Sequence, residues 1–247
     1  AYDQARYEAI AQSYCESEGG LRTFGDIPDY IDRLTLLKDG GEQSQHDFGT
    51  RDGIGRQMVS IQTGGGSLAD IVATTDRRFN SGSFSFSYLL SGRVGAVDLV
   101  LTNFRHENQS PRFFDPGPDQ PDGYYRYSLA ERGDARCQWS EHLRELILKR
   151  GSTRRYVDEF YSEIGSHGQC LAIEYLAPIE EYQLDGYALH HFRQDLLDEP
   201  IKQSVEQFFE PDGNLLAEWR NFLPSGRGHA CDGNRTLPLA RDLHFSN

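Results

Sequence analysis

Four cysteines lie far apart in a chain of 247 residues: Cys15, Cys137, Cys170 and Cys231. None belongs to a C-x-x-C pair, and none is grouped with histidines at ligand spacing, so zinc is a poor reading. The even number admits two disulfides in three connectivities, or four free thiols buried in a cytosolic protein. Placement favours disulfides. Cys15 closes a first helical stretch and Cys231 precedes the C-terminal tail, while Cys137 opens a helical stretch and Cys170 opens a strand-like one. The pairing this selects is Cys15–Cys231 and Cys137–Cys170. The first bridge would close nearly the whole chain, which in the loop-entropy picture contributes roughly 4–5 kcal/mol. Two disulfides imply an oxidising compartment, so the expected location is periplasmic or secreted.

Charge narrows the partners. The formal net charge is -13, and aromatic residues make up 12% of the chain, too many for a disordered polymer. Such a field repels nucleic acid and anionic membrane and favours a basic partner. No run approaches the ~18 apolar residues of a membrane span. The opening "AYDQARYEAI" reads as a helix start, as a mature N-terminus after signal cleavage or a trimmed chain would. The sequons at Asn108 and Asn234 matter only in a eukaryotic secretory route.

Periodicity sets the fold class. Residues 3–17 put Tyr7, Ile10, Ala11 and Tyr14 on one helical stripe, which Gly19 and Gly20 end. "YIDRLTLLKDGG" reads as a strand, and residues 40–56 as a loop. "RQMVSIQTGGG" and "LADIVATTD" read as two strands about a glycine turn. In "SFSFSYLLSGRVGAVDLVLTNF", Phe84, Phe86, Tyr88 and Leu90 alternate with serines, and Val97, Leu99 and Leu101 alternate beyond a turn at 91–95. That pattern predicts an antiparallel hairpin. "YYRYSLAE" is a further strand. Residues 138–150 and 153–164 carry apolar residues at helical spacing, with Gly151 between them. "CLAIEYLAPIEEYQL" is a strand that Pro178 interrupts or pushes to an edge. "YALHHFRQDL", "IKQSVEQFFE" and "NLLAEWRNFL" read as consecutive antiparallel strands with turns at "LDEP" and "PDGN". The expected fold is α+β: mainly antiparallel β-sheet with an N-terminal helix and a central helical pair. It is read as a single domain over 1–247, or as two closely packed sub-domains, 1–136 and 137–247.

Catalytic motifs are sparse. The chain has no G-x-S-x-G, H-E-x-x-H, nucleotide loop or dinucleotide fingerprint. "TGGGS" at Thr63–Ser67 reads as a glycine turn rather than a phosphate cradle. His190 and His191 are adjacent on a strand and point to opposite faces, so they cannot chelate one ion together. Either could act as a base beside Glu180 or Glu181, but the simpler reading buries one and solvates the other. Ser166, His167 and Cys170 suggest a nucleophile and base, yet a disulfide-bonded Cys170 is no nucleophile. Catalytic residues, metal and cofactor are all expected to be absent.

The most unusual segment is "RFFDPGPDQPDGYYRY". Residues 106–123 hold four of the ten prolines and three aspartates. Calcium on Asp115, Asp119 and Asp122 is conceivable, but the spacing is not that of an EF-hand. A solvated loop is the commonest fate of such stretches. The functional reading is a protein-binding loop. Phe113, Phe114, Tyr124 and Tyr125 would anchor it, and Asp115, Asp119 and Asp122 would select a basic partner.

"YCESEGGLRTFG" followed by "YIDRL", and "EPDGNLLAEWRNFLPSGRGHAC" near the end, resemble the termini of small exported proteobacterial proteins. The matching positions are Cys15, Gly19, Gly20, Asp212, Gly213 and Cys231, and they cover about a fifth of the chain. The resemblance implies an immunity protein guarding the periplasm against type VI secretion effectors, lipid-degrading ones in particular. The expected function is therefore a periplasmic inhibitor, not an enzyme, whose partner is a secreted toxin such as a phospholipase. The alternatives are a secreted hydrolase of unfamiliar type, with His167, His190 or His191 in a cleft, and an envelope β protein that carries a ligand.

Overall fold

The computed structural model describes residues 2–38, 88–101, 121–138, 140, 155–196, 201–224 and 231. The expected strands around 57–75, the loop at 40–56 and the turn at 197–200 lie outside the described residues. So does the helix at 138–150, apart from residues 138 and 140. The chain packs into two compact units, neither of them a continuous stretch. Among the described residues, the first takes in 2–27, 37–38, 188–196, 201–224 and 231. The second takes in 28–36, 88–101, 121–138, 140 and 155–187.

In the first unit, helix α1 (Tyr2–Glu18) precedes strand β1 (Gly20–Thr23). The predicted stripe is the one that packs: Ala11 is buried with Phe222 and Ile201, and Ile10 and Tyr14 lie against them. The Tyr14 ring stacks on Phe222 at 5.2 Å. The helix ends at Gly19, whose N–H reaches the carbonyls of Tyr14 and Cys15 at 3.1 Å each. A Cβ on Gly19 would lie 2.7 Å from the Cys15 carbonyl and 3.0 Å from the Cys231 sulfur. Only glycine lets the bridge sit this close to the helix end.

Among the described residues this unit holds three further strands: β6 (Tyr187–Asp195), β7 (Ile201–Phe209) and β8 (Leu215–Pro224). They pair antiparallel in sequence order, as the alternation predicts. The β7–β8 turn follows "PDG", with Glu210 N–H donating to the Asn214 carbonyl at 3.0 Å. Strand β1 then pairs antiparallel with β8, Leu21 opposite Trp219. The first and last described strands are therefore neighbours, on the sheet where the Cys15–Cys231 bridge closes.

In the second unit, β2 (Ile31–Lys38) runs parallel to β3 (Val94–Leu101), with Leu34 opposite Val97. Strand β4 (Gly123–Glu131) pairs antiparallel with β3, and β5 (Gln169–Ala177) antiparallel with β4. Strand β5 ends where Pro178 begins, as a residue without an N–H requires. A 3-10 turn at Ala135–Cys137 and helix α2 (Arg155–Ser166) cover part of this unit. The Cys137–Cys170 bridge ties that turn to β5 among Ala130 and Ala172.

The fold is thus α+β with a predominance of strand, and the sheet is mixed rather than purely antiparallel. The expected hairpin needs correction: residues 88–90 are helical, and β3 has β2 and β4 as partners. Tyr88 and Leu89 are consecutive and both are buried. A helical turn can bury two neighbours on one side, whereas a strand points them to opposite faces. Ser91 closes the turn by donating to the Tyr88 carbonyl at 2.6 Å.

Candidate functional site

Phe113, Phe114, Asp115 and Asp119 of the predicted binding loop lie outside the described residues. Asp122 is exposed at the entrance to β4. Tyr124 and Tyr125 are each 2% exposed, so they are buried strand residues rather than surface anchors. The cause is local: β4 lies between β3 and β5, and both its faces are covered at this end. Tyr124 stacks on Tyr182 with ring centroids 3.7 Å apart. Tyr125 meets Tyr175 edge-on at 5.2 Å and donates its hydroxyl hydrogen to the Pro121 carbonyl at 2.6 Å.

Beside Tyr124 lies a buried polar cluster that the sequence did not announce. Register places Thr35 opposite Asp98 and Asp98 opposite Arg126, in a row across β2, β3 and β4. Asp98 is fully buried. Arg126 grips it with both arms of its fork, Nε to Oδ1 at 2.8 Å and Nη2 to Oδ2 at 2.7 Å. The Tyr182 hydroxyl donates to Asp98 Oδ2 at 3.0 Å, so the Thr35 hydroxyl, 2.8 Å away, donates to the tyrosine oxygen. Asp98 raises the pKa of Arg126 by direct hydrogen bonding. Burial, reinforced by the Asp98 charge, pushes the Tyr182 phenol far above its ordinary value. The tyrosine therefore stays a hydrogen-bond donor and is no base. Tyr182 belongs to the turn after β5, where its N–H and that of Glu181 both reach the Pro178 carbonyl. The cluster holds that turn down on the sheet, and the bidentate pair matches the buried charge of Asp98 at both its oxygens.

The first unit carries a second polar row. His190 stands opposite Gln207 on β7, and Gln207 opposite Glu218 on β8. Gln207 Nε2 donates to Glu218 Oε2 at 2.8 Å, and Arg220 Nε donates to Glu218 Oε1 at 2.5 Å. Arg220 also approaches Glu18 of α1 at 3.7 Å. His190 is 1% exposed, so one member of the histidine pair is interior, as the simpler reading has it. The side chain of His191 lies outside the described residues. Glu180 and Glu181 are exposed in the turn after β5.

On the other face of β7 lies Glu206, 7% exposed, between His191 and Trp219 in register. Among the described residues its Oε2 has no hydrogen-bond partner. Burial raises its pKa to about 7. Sequence reading passed over Glu206, which sits in "SVEQFF" as an unremarkable polar residue. The available signal was its position in a strand with apolar residues on both faces, Val205 and Phe208.

The remaining candidates separate. Ser166, the last residue of α2, and His167, in the turn after it, are both exposed, and Cys170 is bound to Cys137 with Cα atoms 5.9 Å apart. Cys15 and Cys231 are joined likewise, 5.3 Å between Cα atoms, so both expected pairings are present. Among the described residues, no group of three His, Cys, Asp or Glu is placed to hold a metal ion. Nor is any helix among them long and apolar enough to cross a membrane. Comparison with family models, with curated proteins and with solved structures finds no match for this chain.

Proposed function

We propose that this chain is a binding protein of an oxidising compartment, which neutralises a basic, secreted toxin enzyme. The observation that carries the reading is the use of the cysteines. All four are spent on two cross-links, one tying α1 to the segment beyond β8 and one tying the turn at 135–137 to β5. A cytosolic protein gains little from such bonds, whereas an exported one keeps them. The net charge of -13 supplies the second support, since it speeds encounter with a cationic partner and deters anionic ones. A type VI effector that degrades phospholipid fits this chemistry, because it needs positive groups to hold phosphate. In this reading the chain is a periplasmic immunity protein. The exposed Asp122 and the aspartates of the preceding loop would face the enzyme.

The test is direct inhibition. Oxidised, purified chain is titrated into secreted phospholipases encoded beside its gene, and hydrolysis of phosphatidylethanolamine vesicles is followed. One of them should lose activity at a molar ratio near unity, with association slowing as salt rises. If every such enzyme keeps full activity at a large excess of the chain, the inhibitor reading is wrong.

A further inference from the structure

We infer that Tyr30 and Asp32 form a docking point for an arginine side chain of the basic partner, a step that rests on the function proposed above. Tyr30 is 55% exposed, a large aromatic surface left in water just before β2. Exposure alternates from there: Tyr30 exposed, Ile31 buried, Asp32 exposed. That is the two-residue period of an extended chain, so the ring and the Asp32 carboxylate share one face.

The backbone on either side of the ring is held in place. Arg93, in the turn before β3, donates from Nε to the Asp29 carbonyl at 3.1 Å. Its Nη2 reaches the Pro28 carbonyl and Asp29 Oδ1, both at 3.4 Å. Its own carbonyl accepts from Ile31 N–H at 2.9 Å. The segment leading into Tyr30 is thus fastened on both sides, and Pro28 fixes a further dihedral. The Tyr30 hydroxyl lies over Gly95 on β3, 2.5 Å from where a Cβ would be. The missing side chain at Gly95 is what lets the ring lie along the strand.

An exposed aromatic ring on the same face as a carboxylate suits a guanidinium. The planar cation stacks on the ring and pairs with the carboxylate, and its weak hydration makes leaving water cheap. Lysine, a compact and strongly hydrated charge, gains less from the ring. Arg93 already engages Asp29, which makes Asp32 the carboxylate for the incoming cation. Because the backbone on either side of Tyr30 is already hydrogen-bonded to Arg93, little backbone entropy is lost on docking.

Tetraarginine and tetralysine peptides are the probes, titrated against the oxidised chain while amide shifts of Ile31, Asp32 and Gly95 are followed by NMR. Tetraarginine should move these signals and bind about three- to fivefold more tightly than tetralysine. Tyr30→Ala should abolish that preference, while Tyr30→Phe keeps it. Asp32→Asn should weaken both peptides and reduce the dependence on salt. Equal affinity for the two peptides, or a preference that survives Tyr30→Ala, overturns the inference. The two readings also fail separately. Inhibition of the toxin undiminished by Tyr30→Ala would remove the docking point and leave the inhibitor. Arginine preference without inhibition of any enzyme would do the reverse.

Discussion

Asp98 and Arg126 face each other across β3 and β4, and the guanidinium meets the carboxylate through two hydrogen bonds of 2.8 and 2.7 Å. The aspartate is wholly buried and the arginine side chain is 24% exposed. The aspartate has therefore left water for good, and its charge is matched by this one cation and by the Tyr182 hydroxyl. Removing the arginine leaves a buried charge half satisfied. Arg126→Met should destabilise the protein by about 3–5 kcal/mol. Asp98→Asn with Arg126→Met together should be milder than the sum. Urea unfolding of the three variants reads this as a shift in midpoint. Additivity within about 0.5 kcal/mol would show that the pair does not act as a unit.

Tyr182 extends the same cluster and gives a subtler prediction. Tyr182→Phe keeps the stack on Tyr124 but takes one hydrogen bond from Asp98 and one from Thr35. A loss of about 1–3 kcal/mol is expected. Since burial and the Asp98 charge push the phenol far upward, Tyr182 should not ionise while the protein is folded. Alkaline difference absorbance at 295 nm should be the same in parent and Tyr182→Phe up to the pH at which the fold is lost. An earlier-titrating phenol missing from the variant would contradict the geometry.

The two bridges differ in the length of chain they close. Cys15–Cys231 spans 216 residues and Cys137–Cys170 spans 33. In the chain-entropy picture these separations correspond to about 5 and about 4 kcal/mol, as upper values. Cys15→Ser with Cys231→Ser should lower the denaturant midpoint more than Cys137→Ser with Cys170→Ser. It should also free α1, so exchange of its amide hydrogens should quicken while that of β4 holds. Peptide mapping without reductant should give the two linked pairs and no others. A crossed pair such as Cys15–Cys137 would break the pairing.

How much of this was legible follows from which interactions are local. The strands β6, β7 and β8 are hairpin neighbours, and their alternation with the "PDG" turn gives both pairing and order. The cysteines were legible because position alone narrows three connectivities to one. What was not legible required long-range register. Strand β2 ends at Lys38 and its parallel partner β3 begins at Val94, and nothing in either stretch names the other. The Thr35–Asp98–Arg126 row exists only through that pairing, so its members read singly as ordinary polar residues in strands. Tyr124 and Tyr125 misled for a related reason. Next to a proline-rich loop they read as exposed anchors, but they already belong to a strand with neighbours on both sides. Tyr30, which is exposed, was passed over because "YIDRL" reads as the start of an inward-facing strand.

Glu206 carries the remaining prediction. It lies on β7, between β6 and β8, buried, with no hydrogen-bond partner for Oε2 among the described residues, and its pKa is raised from 4.5 to about 7 by burial. The sign of the effect follows from proton counts. Between pH 4.5 and 7 the folded chain keeps the proton that the unfolded chain has released, so stability falls as pH rises through this window. Below pH 4.5 both states are protonated at this group and the contribution is at its most favourable. Above pH 7 both are ionised and the full penalty of a buried charge, on the order of 3 kcal/mol, applies. Glu206→Gln keeps the size of the side chain and removes the titration. The variant should therefore gain on the parent steadily from pH 5 to pH 7 and hold that gain up to pH 8.5. Urea midpoints at half-unit pH steps measure the difference. A flat difference across pH 5–8 would mean that the Glu206 carboxylate is solvated or paired in the folded chain.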